Sequence, residues 1–207
     1  MPFGYTGQNQ PNQTVSNSGV FSITDVAELQ SQGKLGGSLE LIEEKSISAV
    51  SSVIFTDIKE TVYDVHYLQI IDYQPATDNT DIRIRFFESG VEESASVYQY
   101  AYQYGTEGGS FGEVKSTGAD HIRGSFNTGN TTTEKSNTYT YFYNLGNSSK
   151  YSFTTHQGMS ISGPIYMFFG GGVLPQASTV NQIKLFNASG NFSCTAKLYG
   201  VKQIWVT

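Results

Sequence analysis

A strict period of two in the last quarter of the chain limits its fold more than any other feature. In residues 180–186, Ile183 and Leu185 alternate with Gln182 and Lys184. In residues 191–200, Phe192, Cys194, Ala196 and Leu198 alternate with Ser193, Thr195, Lys197 and Tyr199. Successive side chains of a strand point to opposite faces, so each run has one buried and one wet face. The Asn187-Ala-Ser-Gly190 turn between them reads as the loop of a hairpin. Two strands cannot bury an apolar face alone, so the preceding chain must supply a facing sheet.

That sheet is visible upstream. In residues 81–88, Ile82, Ile84 and Phe86 alternate with Arg83, Arg85 and Phe87. In 62–73, Tyr63, Val65, Tyr67 and Ile71 share one face, and Leu68 and Ile70 the other. Further strands are expected over 38–42, 47–55, 97–104, 121–126, 138–145, 151–155, 165–169 and 201–206. A Gly-rich stretch, 105–112, follows the strand over 97–104. Tyr (14), Phe (13) and Gly (22) are frequent and only 14% of the 207 residues are charged, which suits strands joined by tight turns. No βαβ rhythm appears, so the expected class is all-β, an antiparallel sandwich.

The first 20 residues or so are polar and Gly/Gln/Asn-rich, a composition that cannot fold alone. They form either a frayed terminus or an arm that orders on a neighbouring subunit, with Phe3, Tyr5, Val20 and Phe21 as anchors. A short helix is expected over 23–32. Ser22 is its N-cap, Phe21 and Val26 its hydrophobic staple, and Gly33 its C-terminal stop. The division is therefore 1–37, arm and helix, and 38–207, sandwich.

The search for chemistry finds little. His66, His121 and His156 have no His or Cys partner at ligand spacing, so no metal is expected. Asp78-Asn-Thr-Asp81 lacks the glycine and distal Glu of a calcium loop and reads as an Asx-rich turn. Gly108-Gly-Ser-Phe-Gly112 has the Gly-x-Ser-x-Gly spacing, but no helix pattern follows it, so no nucleophile elbow is expected. The pairs Glu43-Glu44 and Glu92-Glu93 are sequence neighbours, which point to opposite faces of a strand. Gly170-Gly-Gly172 is followed by no Lys-Ser/Thr helix, so it marks a bend or a close backbone contact rather than a phosphate loop. No cofactor is expected and no enzymatic activity is assigned.

Tyr98, Tyr100, Tyr102 and Tyr104 fall on one face of their strand, either as a core or subunit-interface row or as a platform for sugar rings. A net charge of −6 with no basic block argues against nucleic acid as the main partner. The single Cys194 lies on an apolar strand face and is expected to be a buried thiol. The start has neither a basic n-region nor an apolar h-region, so no signal peptide is expected, and no run is long enough to insert in a membrane as a helix. The sequons at Asn12, Asn130, Asn147, Asn187 and Asn191 are then read as turns rather than glycan acceptors.

Several segments together resemble jelly-roll domains of tailed-bacteriophage virion proteins. They are Val180-Asn-Gln-Ile-Lys-Leu185, Gly190-Asn-Phe192 and Lys197-Leu-Tyr-Gly-Val201, with Asn79-Thr-Asp-Ile-Arg-Ile-Arg-Phe-Phe-Glu-Ser-Gly90 followed by Tyr98. Met1-Pro-Phe-Gly-Tyr5, Ser18-Gly-Val-Phe-Ser-Ile23 and Gly33-Lys-Leu-Gly-Gly37 resemble N-terminal segments of phage tail-associated proteins. The resemblance covers about two-thirds of the chain. It implies a jelly-roll-like sandwich with an N-terminal extended arm and one short helix. It also implies a non-enzymatic virion component, of the tail, fibre or capsid surface, whose partners are further copies and other virion proteins. The alternative is a carbohydrate-binding module that contacts host-surface glycan, with the Tyr98–Tyr104 row, or loop aromatics such as Tyr141 and Tyr143, exposed. A glycan-degrading enzyme ranks third and would need two inward carboxylates from different strands.

Overall fold

The computed structural model describes Ile23, Thr24, Val26, Ala27 and residues 38–202, and the unit holding the strands begins at Leu39. In chain order the strands are β1 (Leu39–Val50), β2 (Ser52–Phe55), β3 (Val65–Pro75), β4 (Ile82–Glu88) and β5 (Val91–Glu92). Then come β6 (Tyr98–Thr106), β7 (Phe111–Ala119), β8 (Ile122–Arg123) and β9 (Ser136–Tyr143). The last are β10 (Ser152–Ile161), β11 (Ile165–Leu174), β12 (Val180–Asn187) and β13 (Phe192–Val201). They form two antiparallel sheets. An 8-stranded one has the order β1-β13-β3-β9-β10-β11-β6-β7; a 5-stranded one has the order β2-β12-β4-β5, with β8 also on β4.

The pairing is nested: β1 with β13, β2 with β12, β3 with β9, β4 with β8. Such a chain is one long antiparallel ribbon whose successive pairs fall alternately in the two sheets, the winding of a jelly roll. Two insertions interrupt it. The segment holding β5, β6 and β7 enters between β4 and β8, and β10 with β11 enters between β9 and β12. Of these strands, β6, β7, β10 and β11 extend one sheet beyond β9, which makes it much wider than its partner.

Burial follows the alternation read from sequence. Phe192, Cys194, Ala196 and Leu198 of β13 face inward and join Ile183 and Leu185 of β12 and Ile82, Ile84 and Phe86 of β4 in one core. The hairpin expectation is overturned, however: β12 lies in the narrow sheet and β13 in the wide one. The 188–191 turn carries the chain across the sandwich. A period of two tells which side chains are inside but not which strand lies alongside. Here the two apolar faces meet through the core instead of sitting side by side. Asn187 is buried, and its amide donates to the carbonyls of Ser189 (2.6 Å) and Asn191 (3.2 Å), so this sequon does mark a turn.

Other expectations need correction or lie out of view. The Gly-rich stretch 105–112 is a hairpin: it holds the end of β6, a turn closed by Thr106 and Ser110, and the start of β7, a strand not foreseen from sequence. The strand expected over 121–126 shrinks to Ile122–Arg123. Val201 ends β13 instead of opening a new strand, and residues beyond 202 lie outside those described. Ile23, Thr24, Val26 and Ala27 are helical, as expected for 23–32. Phe3, Tyr5, Val20 and Phe21 lie outside the described residues.

Gly170, Gly171 and Gly172 make close backbone contacts without breaking β11. A Cβ on Gly170 would collide with Tyr102 and the Ala101 carbonyl, and one on Gly171 with the Thr154 carbonyl. Gly170→Ala is therefore expected to cost about 2–3 kcal/mol, the range for overpacking a fixed backbone. At about 2–4 °C per kcal/mol for a chain of this size, a thermal melt should fall by about 5–10 °C. An unchanged melting temperature would contradict the tight packing.

Candidate functional site

The tyrosine row on β6 faces inward. Tyr98 and Tyr102 are buried, Tyr100 and Tyr104 half-buried. Tyr98 Oη donates to the Glu93 carbonyl and accepts from the Phe86 amide, each at 3.0 Å. Tyr104 stacks on Phe126 at 4.3 Å between centroids. These rings fill the space under the extension of the wide sheet, so the row does not present a flat outer surface to a sugar. Phe126, from the irregular segment after β8, closes a second core with Tyr102 and Phe168.

Between the two cores, the inward positions of β9 and β10 are mostly polar: Ser136, Thr138 and Thr140 on β9, Ser152, Thr154, His156 and Ser160 on β10. Thr138 donates to the Gln157 carbonyl at 3.1 Å, and Thr154 accepts from the Gly172 amide at 3.0 Å. Ser136, Thr140, Ser152 and Ser160 have no hydrogen-bond partner for their hydroxyls, nor has either ring nitrogen of His156. The Tyr102 hydroxyl and Arg123 Nε are also unpartnered. An uncompensated buried polar group costs about 1–3 kcal/mol. A seam of this size left dry would consume a marginal stability of about 5–15 kcal/mol.

The opposite, outer face of the wide sheet differs sharply. Across β3, β9, β10, β11 and β6 the outward positions are aromatic, aliphatic, amide, hydroxyl or glycine, with no charged side chain from Val65 to Ile71 on β3 or along the other four strands. Met167 and Phe169 are 57% and 58% exposed, and Phe111, Phe153, Met159 and Ile165 are exposed beside them. A groove of about 710 Å³ runs between Phe111, Ile165, Met167 and Phe169, with Glu107 and Glu113 at its rim. A second, of about 490 Å³, continues past Met159 to Tyr139 and Gln157. Tyr67 packs against Tyr139, Tyr141 and Tyr199 at centroid distances of 5.8, 4.9 and 5.9 Å, and Tyr141 stacks on Tyr143 at 6.4 Å.

Charge begins at the margins, with Glu113 and Lys115 on β7 and Lys197 paired to Glu44 at 3.1 Å. The edges are blunted against strand addition. β1 carries Glu40, Glu43, Glu44 and Lys45 and shifts register twice; β7 carries Glu113 and Lys115 and shifts once. With an apolar, Tyr/Phe/Met-rich centre and a charged rim, the face has the composition of a protein–protein contact. Sequence reading singled out the inward row of β6 and, of the outer face, only Tyr141 and Tyr143, which lie half-buried on strand β9 and not in a loop. The outward set was readable in principle as the alternate positions of 137–143, 153–159 and 167–173 taken together, but only the topology aligns them.

Several ionisable groups are paired. Arg85 bonds Glu92 at 2.9 Å and pairs with Asp120, while Lys184 reaches Glu92 at 2.8 Å. Burial opposes ionisation of Glu92, but hydrogen bonds from Lys184 and Arg85 outweigh it and hold its pKa below the ordinary value. Asp81 is the one buried carboxylate among the described residues and is held by Arg123 at 3.0 Å and Arg83 at 3.3 Å. Cys194 is buried and its pKa is pushed up to about 12. Among the described residues no group of three His, Cys, Asp or Glu side chains could hold a metal ion. Compared with protein-family models, curated proteins and solved structures, the chain matches none.

Burial brings the pKa of His156 down to about 4, from about 6.5 in an unfolded chain. Between these values the unfolded state binds the extra proton, so stability is lost as pH falls. From pH 7 to pH 5 this group should remove on the order of 1–2 kcal/mol. Urea unfolding at the two pH values checks it. His156→Met should flatten the dependence, and an unchanged slope in that variant would contradict the assignment.

Proposed function

We propose that this chain is a non-enzymatic structural protein that assembles through the outer face of its wide sheet. The observation that carries the reading is the uncharged Tyr/Phe/Met surface over five adjacent strands, bounded by charge only at its rim. Strands spaced about 4.8 Å apart and rising about 3.3 Å per residue give these five strands a face on the order of 750 Å². A stable interface takes about 800 Å² from each partner. The partner proposed first is another copy of the chain, since symmetric self-association is the commonest way such a face is covered.

The jelly-roll winding and the segments that resemble tailed-phage proteins support a more specific reading: a virion component of the tail, fibre or capsid surface. In it, residues 1–37 act as an attachment arm and the sandwich face as the subunit contact. Fold alone does not carry this step, because jelly rolls serve capsids, lectins and enzymes alike. A second reading has its own observation. Tyr67, Tyr139, Tyr141, Tyr143 and Tyr199 form an outward aromatic cluster, with hydroxyls bonded to Gln157 (2.8 Å) and Thr155 (3.1 Å), of a kind that can stack on sugar rings.

Light scattering on the full chain should give a discrete oligomer. The double variant Met167→Glu, Phe169→Glu should give a monomer whose melting temperature is almost unchanged, because exposed positions cost about 0.5 kcal/mol or less. A monomeric parent, or a variant that keeps the parent mass, would contradict assembly by this face. For the second reading, a glycan array should retain a sugar that Tyr141→Ala loses; an array on which the parent retains nothing removes that reading.

A further inference from the structure

The polar seam between the two cores points to a ligand. On neighbouring strands β9 and β10, Thr140 stands opposite His156 and Ser136 opposite Ser160 in the ladder register. All four are more than nine-tenths buried. Their hydroxyls and both His156 ring nitrogens lack partners. Cross-strand neighbours on one face have Cβ atoms about 4.5–5.5 Å apart. Polar ends that do not bond directly across such a gap can be joined by a bridging water where there is room for one. The Tyr102 ring stands 5.6 Å from that of His156.

We infer that the seam holds two internal water sites, one bridging Thr140 and His156 and the other bridging Ser136 and Ser160. A buried water needs two to four polar partners, and proteins hold about one such water per 27 residues. Two waters in a seam of this composition are well within that rate. Water also explains the sequence. Val in place of Thr, or Ala in place of Ser, would fill the same space without an orphan hydroxyl, yet hydroxyls stand at inward positions along both strands. The imidazole, with Gly170 as its neighbour on β11, bonds this water through one of its two ring nitrogens.

The test begins with a high-resolution crystal structure of the unaltered chain. It should show a water within hydrogen-bonding distance of both members of each pair. Thr140→Val and Ser160→Ala should each lower the melting temperature by about 2–5 °C, because each leaves a bridging water and its remaining partner undersatisfied. A dry seam predicts the opposite sign, since removing an orphan hydroxyl then stabilises. Empty density at both sites, a bound ion in place of water, or variants that melt at or above the parent temperature would overturn the inference. If either variant fails to fold, oxygen-17 water relaxation on the unaltered chain decides. Long-lived internal waters support the sites, and their absence sinks them.

Discussion

The two sheets differ in width, and the rest of the structure follows from that constraint. Eight strands face five. The narrow sheet covers the jelly-roll half of its partner, where Phe86, Ile84, Leu185 and Phe192 meet in a dry core. Under the extension something else must cover the inner face. The segment after β8 does so with Phe126, and the β6 tyrosines turn inward to meet it. Where the two covers join, along β9 and β10, Ser, Thr and His side chains take the inward positions. The close approach of β11 to β6 and β10 depends on the glycines at 170–172, which leave no room for a side chain.

The same width shapes the outside. A sheet of four strands would offer a small outer face; doubling it creates a broad surface with its charges pushed to the rim. In the proposed assembly, burying such a surface against a second copy would supply the main driving force, and the rim would set register. The ion pairs on the narrow sheet have a different role. Arg85, Lys184, Glu92 and Asp120 satisfy one another over Phe186, which leaves that side polar and wet. The two outer faces thus differ in character: one is largely uncharged, the other carries a network of ion pairs.

Much of this was legible in the chain. The inward sets of β4, β12 and β13 follow directly from alternation, as in Ile82/Ile84/Phe86. The glycine run at 170–172 announces a close contact. Alternation carries no information about which strand is the neighbour, however, so the 187–190 turn looked like a hairpin although it joins opposite sheets. The β6/β7 hairpin was hidden by glycines that read as loop residues, and Gly112 is there because the Tyr104 ring occupies the space a Cβ would need. The candidate face was out of reach for a related reason. Its residues come from separate runs, and only the order β3-β9-β10-β11-β6 brings them together.

Side-chain oxidative footprinting across a range of protein concentrations measures the role of the wide face most directly. Met159, Met167 and Phe169 should be oxidised readily in dilute solution and become protected as the protein associates. Val62 and Val91, exposed elsewhere on the molecule, should react equally throughout. Protection that rises with concentration on the wide face alone is the predicted result. Equal oxidation of all five side chains at every concentration, or protection centred on Val62 and Val91, would contradict it.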